Sequence, residues 1–207
     1  MLTRDLISHS IPYLHLHDKA YHALQLMTDY HVTHLPVVEE EKYLGVISEE
    51  QLLLSDDEGK IEELVFSDNN NSVQASDHFL KAIQVAVINK LSIVPIIEEG
   101  LILGVVTYDD LLRNASDFMN LSQPGALIVL ELDDKNYSLA EISRIVESND
   151  AQITQLNTYT NSETGSMQIT IRVSKLEVSD IVSTFQRYEY NIKYYFGEEL
   201  YENELKT

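Results

Sequence analysis

A chain of 207 residues with 44% hydrophobic residues is long enough for two packed domains. It has no cysteine, which excludes disulfides and thiolate metal sites. Its 34 acidic residues against 14 basic ones leave a formal net charge of −20, a surface that repels nucleic-acid phosphates and anionic lipid.

Neither a basic start followed by an apolar run nor a stretch of 18 apolar residues occurs. A soluble, unprocessed cytoplasmic protein is expected.

Laid on itself with an offset of 59 residues, the chain repeats without a gap. Asp18 falls on Asp77, Ala23 on Ala82, Gln25 on Gln84, Pro36 on Pro95 and Glu39-Glu40 on Glu98-Glu99. Leu44-Gly45-Val46 falls on Leu103-Gly104-Val105, and Leu52-Leu53 on Leu111-Leu112. Within each copy, apolar residues at helical spacing predict helices over 19–30 and 77–90, with Asp18 and Ser76 or Asp77 as caps. Two short β-branched runs follow, Leu35–Val38 with Leu44–Ile47, and Ile93–Ile97 with Leu101–Val106. A second helix, over 48–54 and 108–119, closes each β-α-β-β-α unit. One unit alone would leave half its apolar surface in water, so the two should pack sheet to sheet as one body. Lys60–Phe66 reads as an amphipathic helix and Ser67–Ser72 as a polar connector.

The candidate site lies where a buried strand, Gly104-Val105-Val106, runs into a helix. Thr107 stands at the N-cap and Asp110 three residues on. An ionised carboxylate there has two acceptor oxygens for the hydroxyls of a ribose. The same Thr-x-x-Asp spacing also makes a cap that needs no ligand. In the first copy the aligned residues are Ser48 and Gln51, so the cap remains and the carboxylate is lost. At most one good nucleoside site per pair is therefore expected, in the second copy.

A proline-marked strand followed by Gly-h-h-[Ser/Thr]-x-x-Asp at the mouth of a helix, in tandem, resembles a pair of CBS domains, the Bateman module, over roughly residues 1–120. The resemblance implies a regulatory module binding an adenosine-containing ligand such as AMP, ATP or S-adenosylmethionine between the copies. It places Thr107 and Asp110 on the ribose, with Ile93, Val94 and Pro95 beside the base and Val73 contributing. Related modules often carry a phosphate-binding cation where Tyr108-Asp109 stand here. Lys90 and Arg113 are the nearest cations in sequence, so neutral adenosine or cationic S-adenosylmethionine should meet less repulsion than a polyphosphate.

After the turn cluster Ser122-Gln123-Pro124-Gly125 the pattern changes. Strands are expected over Ala126–Leu132, Asp150–Thr160, Met167–Val173 and Asn191–Tyr195, and helices over Leu139–Val146 and Val178–Phe185, with a hairpin turn at Asn161–Gly165. The order βαββαβ is the ferredoxin-like plan. Following a CBS pair it resembles an ACT domain, and the combination resembles the acetoin-utilisation-type CBS–ACT proteins. ACT domains dimerise, and many bind amino acids near a glycine in the turn after the first strand. Here that turn, Asp133–Tyr137, has none.

The predicted organisation is thus α/β: CBS repeats over 1–59 and 60–120, an ACT-like domain over 125–196 and an acidic tail over 197–207. No catalytic set can be assembled, since there is no cysteine nucleophile, Gly-x-Ser-x-Gly or phosphate loop with lysine. Neither an enzyme nor a protein with a resident cofactor or metal is expected, although His15, His17 and Asp18 have ligand chemistry. The C-terminal tyrosines, Tyr188, Tyr190, Tyr194 and Tyr195 with Phe196, suggest a homodimer surface. The leading reading is a non-catalytic sensor with an unnamed downstream protein partner and no nucleic-acid or membrane role. The alternative is a ligand-free oligomerisation or adaptor scaffold.

Overall fold

In the computed structural model, which describes residues 1–64, 71–132 and 138–198, the chain divides into two compact units, Met1–Ala115 and Ser116–Thr207. The first unit contains β1 (Leu14–His15), α1 (Ala20–Asp29), β2 (His34–Glu39), β3 (Lys42–Ser48) and α2 (Glu49–Leu53). These are repeated as β4 (Val73–Gln74), α3 (Phe79–Asn89), β5 (Ile93–Glu98), β6 (Leu101–Thr107) and α4 (Tyr108–Phe118). The repeat extends to backbone detail. His31 and Lys90, and Glu40 and Glu99, take left-handed φ values of 54°, 53°, 56° and 52°, each pair 59 residues apart. The same helix-to-strand turn and hairpin turn are therefore built twice.

The six strands run in the order β1-β2-β3-β6-β5-β4, and the two halves join at a single rung, Lys42 opposite Leu101. What unites the copies is a shared apolar core, in which Leu35, Val37 and Ile47 of the first cluster with Ile93, Ile96 and Val105 of the second. Each copy's leading arm is also bonded to the other copy. Thr3 N–H donates to Asp77 O (2.9 Å), and its fully buried hydroxyl donates to Gln74 O (2.6 Å). Ser8 exchanges backbone bonds with Val105. Conversely, Ile61 N–H donates to Asp18 O (3.0 Å) and Glu62 N–H to Leu16 O (2.9 Å).

These crossings correct two local expectations. The Lys60–Phe66 helix is, within the described residues, a single 3₁₀ turn over Ile61–Glu63: Ile61 and Glu62 give their N–H groups to the first copy, while Glu63 and Leu64 bond back only three residues, to Lys60 O and Ile61 O. Asp18 and Asp77 do not cap α1 and α3. Each carboxylate accepts the N–H three residues earlier, at His15 and Gln74 (both 2.8 Å), and so closes the turn that follows β1 or β4. Most of the expected connector, the Asp133–Tyr137 turn and nearly all of the acidic tail lie outside the described residues.

The second unit is β7 (Ala126–Leu132), α5 (Leu139–Glu147), β8 (Ile153–Thr160), β9 (Met167–Val173), α6 (Ser179–Arg187) and β10 (Ile192–Phe196). Its antiparallel sheet has the order β10-β7-β9-β8, the ferredoxin-like arrangement in which the first and third strands are central. Ile128, Leu130, Ile169 and Ile171 point from the sheet into a core closed by Ile142, Ile145, Ile181 and Phe185 from the helices. The strand expected from Asp150 begins at Ile153, because Asp150 itself turns the chain at φ 54°. Tyr190 packs edge-on against Phe185 and donates to Glu141 (2.7 Å). Burial first, and then this bond to a carboxylate, push its phenol up to about 12.

Two substitutions probe the two units by denaturant melts. Phe185→Ala should cost about 3–5 kcal/mol through the cavity it leaves. Thr3→Val, which deletes only a hydroxyl, should cost about 1 kcal/mol. A Thr3→Val protein as stable as the parent would show that the arm bond contributes nothing.

Candidate functional site

Both helices that follow the central hairpins start with a side-chain cap, and the two caps are chemically different. At α2, Gln51 N–H donates to Ser48 Oγ (3.2 Å), while Gln51 Oε1 accepts from Ser48 N–H (2.9 Å) and from the Ser48 hydroxyl (3.1 Å). This is a closed capping box, with the glutamine oxygen already taken. At α4, Asp110 N–H donates to Thr107 Oγ1 (3.1 Å), and the Thr107 hydroxyl donates to Asp110 Oδ2 (2.7 Å). The two residues expected to grip a sugar thus hold each other. A ribose at Asp110 would have to share this carboxylate with the Thr107 hydroxyl or displace it.

The motif glycine has a steric role. A Cβ on Gly104 would run into Ile7 Cγ2 and crowd Ser8 O, because the N-terminal arm crosses β6 at this point. Ile93, Val94, Pro95 and Val73 are all buried, and Ile93, Val94 and Val73 belong to the shared core. Being buried, their side chains leave little free surface for a base to pack on, so a base beside them would meet mainly backbone.

The sequence reading missed an open cleft on the opposite side of the pair. A cavity of about 480 Å³ is lined by Thr33, His34, Val46, Ser48, Glu49, Glu50 and Gln51 of the first copy. Asn71, Asn89, Lys90 and Leu91 complete it, the last three from the end of α3. Asn71, 8% exposed as a residue, lines this space, where its side-chain amide makes no hydrogen bond among the described residues and keeps access to solvent. Lys90 is the one cation in the lining, against Glu49 and Glu50. The sequence signal was available: Asn71 aligns with Pro12 and Lys90 with His31, so the two sides of the pair differ where a ligand would sit.

At the centre of the pair the copies clasp each other. Thr33 and Ser92 are repeat-equivalent, and their carbonyls accept the first helical N–H of Glu49 and Tyr108 respectively, both at 2.9 Å. Thr33 N–H donates to Ser92 Oγ (3.0 Å). The reciprocal bond is made differently, because Ser92 N–H donates to Nδ1 of His34 (3.2 Å).

Fold and site together define a duplicated α/β module with a polar cleft between its copies, followed by a ferredoxin-like domain. The chain belongs to the CBS domain family: the family model matches residues 4–58 and 61–117, just over half of the chain. It is a tandem CBS pair with a C-terminal ACT-like domain. A CBS domain pair/ACT domain protein from Thermotoga maritima superposes with a TM-score of 0.53 at 20% identity, covering 57% of this chain and 99% of that one. A protein from Vibrio cholerae named for acetoin utilization gives 0.52 at 20% identity, covering 59% and 95%. The CBS domains of a transcriptional regulator from Streptococcus pneumoniae give 0.50 at 19% identity, covering 55% and 98%. At these identities the likeness is one of fold.

Each cap can be weighed separately. Thr107→Ala removes a cap and leaves Asp110 facing open helix N–H groups, so denaturant melts should show a loss of about 1 kcal/mol. Thr107→Ser, which keeps the hydroxyl, should restore most of it. Equal stability of all three proteins would show that the Thr107–Asp110 bond is not a cap.

Proposed function

We propose that this chain is a non-catalytic regulator whose CBS pair binds an adenosine-containing small molecule and whose ACT-like domain joins two copies of the chain. The observation that carries the reading is the inter-copy cavity beside Ser48, with the uncommitted Asn71 amide on its wall. About 480 Å³ is within the range that takes a nucleoside-sized ligand. An Asn side chain offers a donor pair and an acceptor to the edge of a base.

Two repeat-related positions compete for the ligand. The Thr107–Asp110 side offers the carboxylate suited to a ribose, with Ile93, Val94, Pro95 and Val73 around it, but that carboxylate is already bonded. The Ser48 side offers open volume and Asn71, without a carboxylate at position 51. A second cavity, of about 470 Å³, opens at Tyr108 beside the other motif but has a mostly apolar lining, so it is the polar lining with Asn71, and not volume, that favours the Ser48 side as the first to fill. Glu49 and Glu50 at its wall, within a chain of net charge −20, favour adenosine or S-adenosylmethionine over AMP, and AMP over ATP, with Lys90 the one lining group to offset a phosphate. The exposed Tyr194, Tyr195 and Phe196 on edge strand β10 support the pairing of two chains.

A ligand-free scaffold is the second reading, favoured by one observation: both motif side chains, Gln51 and Asp110, are bonded within their own caps.

Calorimetry with adenosine, AMP, ATP and S-adenosylmethionine on wild type, Asn71→Ala and Asp110→Ala separates these readings. We expect Asn71→Ala to weaken binding about tenfold or more, the scale of a buried hydrogen bond, and Asp110→Ala to leave it unchanged. Loss with Asp110→Ala alone would move the site to Thr107. No heat from any ligand on wild type, with mass still dependent on concentration, would leave the scaffold.

A further inference from the structure

The clasp at the centre of the pair is unsymmetrical, and the asymmetry comes from one titratable side chain. A strict repeat would pair Thr33 N–H with Ser92 Oγ, and Ser92 N–H with Thr33 Oγ1. The first bond is made. The second is replaced by Ser92 N–H donating to His34 Nδ1, at a position where the other copy carries Ile93. A backbone N–H can only donate, so Nδ1 must be the unprotonated nitrogen and the ring's proton sits on Nε2. The Ser92 hydroxyl (3.2 Å) and the Thr33 hydroxyl (3.1 Å) also lie within reach of the same Nδ1. Three groups able to donate thus converge on one nitrogen.

We propose that His34 is a proton-operated latch between the two CBS copies, closed while the imidazole is neutral and released when Nδ1 takes up a proton. The hydroxyl of Ser92 can rotate and accept from a protonated Nδ1. Its backbone N–H cannot, so protonation sets two donors against each other at the junction of the copies and strips that N–H of its one acceptor among the described residues. His34 also lines the inter-copy cavity, so opening the latch alters that wall.

The groups that share the wall are Glu49 and Glu50 from α2, which favour the proton, and Lys90 at the end of α3, which opposes it. Tyr108 on α4 gives its backbone N–H to Ser92 O. Burial holds the imidazole below the usual histidine range. With the folded value below the unfolded value of about 6.5, the unfolded chain binds more protons between the two. The contribution of His34 to stability is therefore full above about pH 6.5 and drains away as the pH falls towards the folded value. The latch does not depend on the ligand reading, since it operates in the empty pair.

The test uses the full chain labelled with ¹⁵N and no ligand. Imidazole spectra should show His34, assigned by its absence in His34→Gln, as the Nε2–H form at about pH 7.5, with a midpoint below the roughly 6.5 of a free histidine. Amide exchange, corrected for its intrinsic pH dependence, should show protection of Ser92 falling about tenfold as His34 titrates, the effect of one lost hydrogen bond. In His34→Gln, which carries no proton to gain, that pH dependence should vanish. An Nδ1–H form at about pH 7.5, or Ser92 protection that ignores the titration in wild type, overturns the latch. The Ser92 exchange readout comes from wild type alone, so a variant that fails to fold does not remove the test.

Discussion

Neither CBS copy finishes its own structure. The arm that leads into each is hydrogen-bonded to the other, through Thr3 on Gln74 and Asp77 in one direction and through Ile61 and Glu62 on Asp18 and Leu16 in the other. The single rung between β3 and β6 is too slight to hold two half-sheets together, so these crossed arms and the common apolar core must do so. The arrangement accounts for Gly104, which leaves room for the arm to pass, and for Thr3, a polar residue with no exposed surface. It also places a polar cleft of about 480 Å³ along the junction of the copies, between the start of α2 and the end of α3.

The mouths of α2 and α4 set two demands on one side chain. An exposed helix start needs acceptors for its free N–H groups, and a ligand-binding turn needs those same acceptors uncommitted. In this chain both are drawn into the cap: Gln51 closes a box with Ser48, and one oxygen of Asp110 takes the Thr107 hydroxyl. The polar group left over is Asn71, which belongs to neither cap and makes no side-chain hydrogen bond among the described residues. At the wall of an open cleft its amide stays within reach of water and can exchange that water for a ligand. That availability is the physical ground for looking to the Ser48 side of the pair.

Duplication makes the departures from symmetry informative. Thr33 and Ser92 perform the same backbone task in each copy, accepting the first N–H of the following helix, so the fold does not require them to differ. His34 facing Ile93 in the alignment breaks that equivalence, as Asn71 facing Pro12 and Gln51 facing Asp110 do. His34, Asn71 and Gln51 all line the same cavity, and the opposite side has the carboxylate instead. One side of the pair has kept the motif, and the other has the more polar cavity.

Spacing alone determined the duplication, the β-α-β-β-α unit, the βαββαβ order of the second unit and the caps at Ser48, Thr107 and Ser138, because these depend on short-range periodicity and on side chains reaching N–H groups three residues away. Even a misread helix was local in origin: Ile61–Glu63 has the amphipathic pattern, but a distant strand-entry turn claims the N–H groups of Ile61 and Glu62. Only the tertiary structure decided which arm crosses to which copy, that Asp18 and Asp77 serve turns and not helices, that Asn71 is left unpaired at a cleft, and that His34 accepts from an amide 58 residues away. Each of those depends on where a backbone group from another part of the chain arrives, and no periodicity along the sequence encodes that arrival.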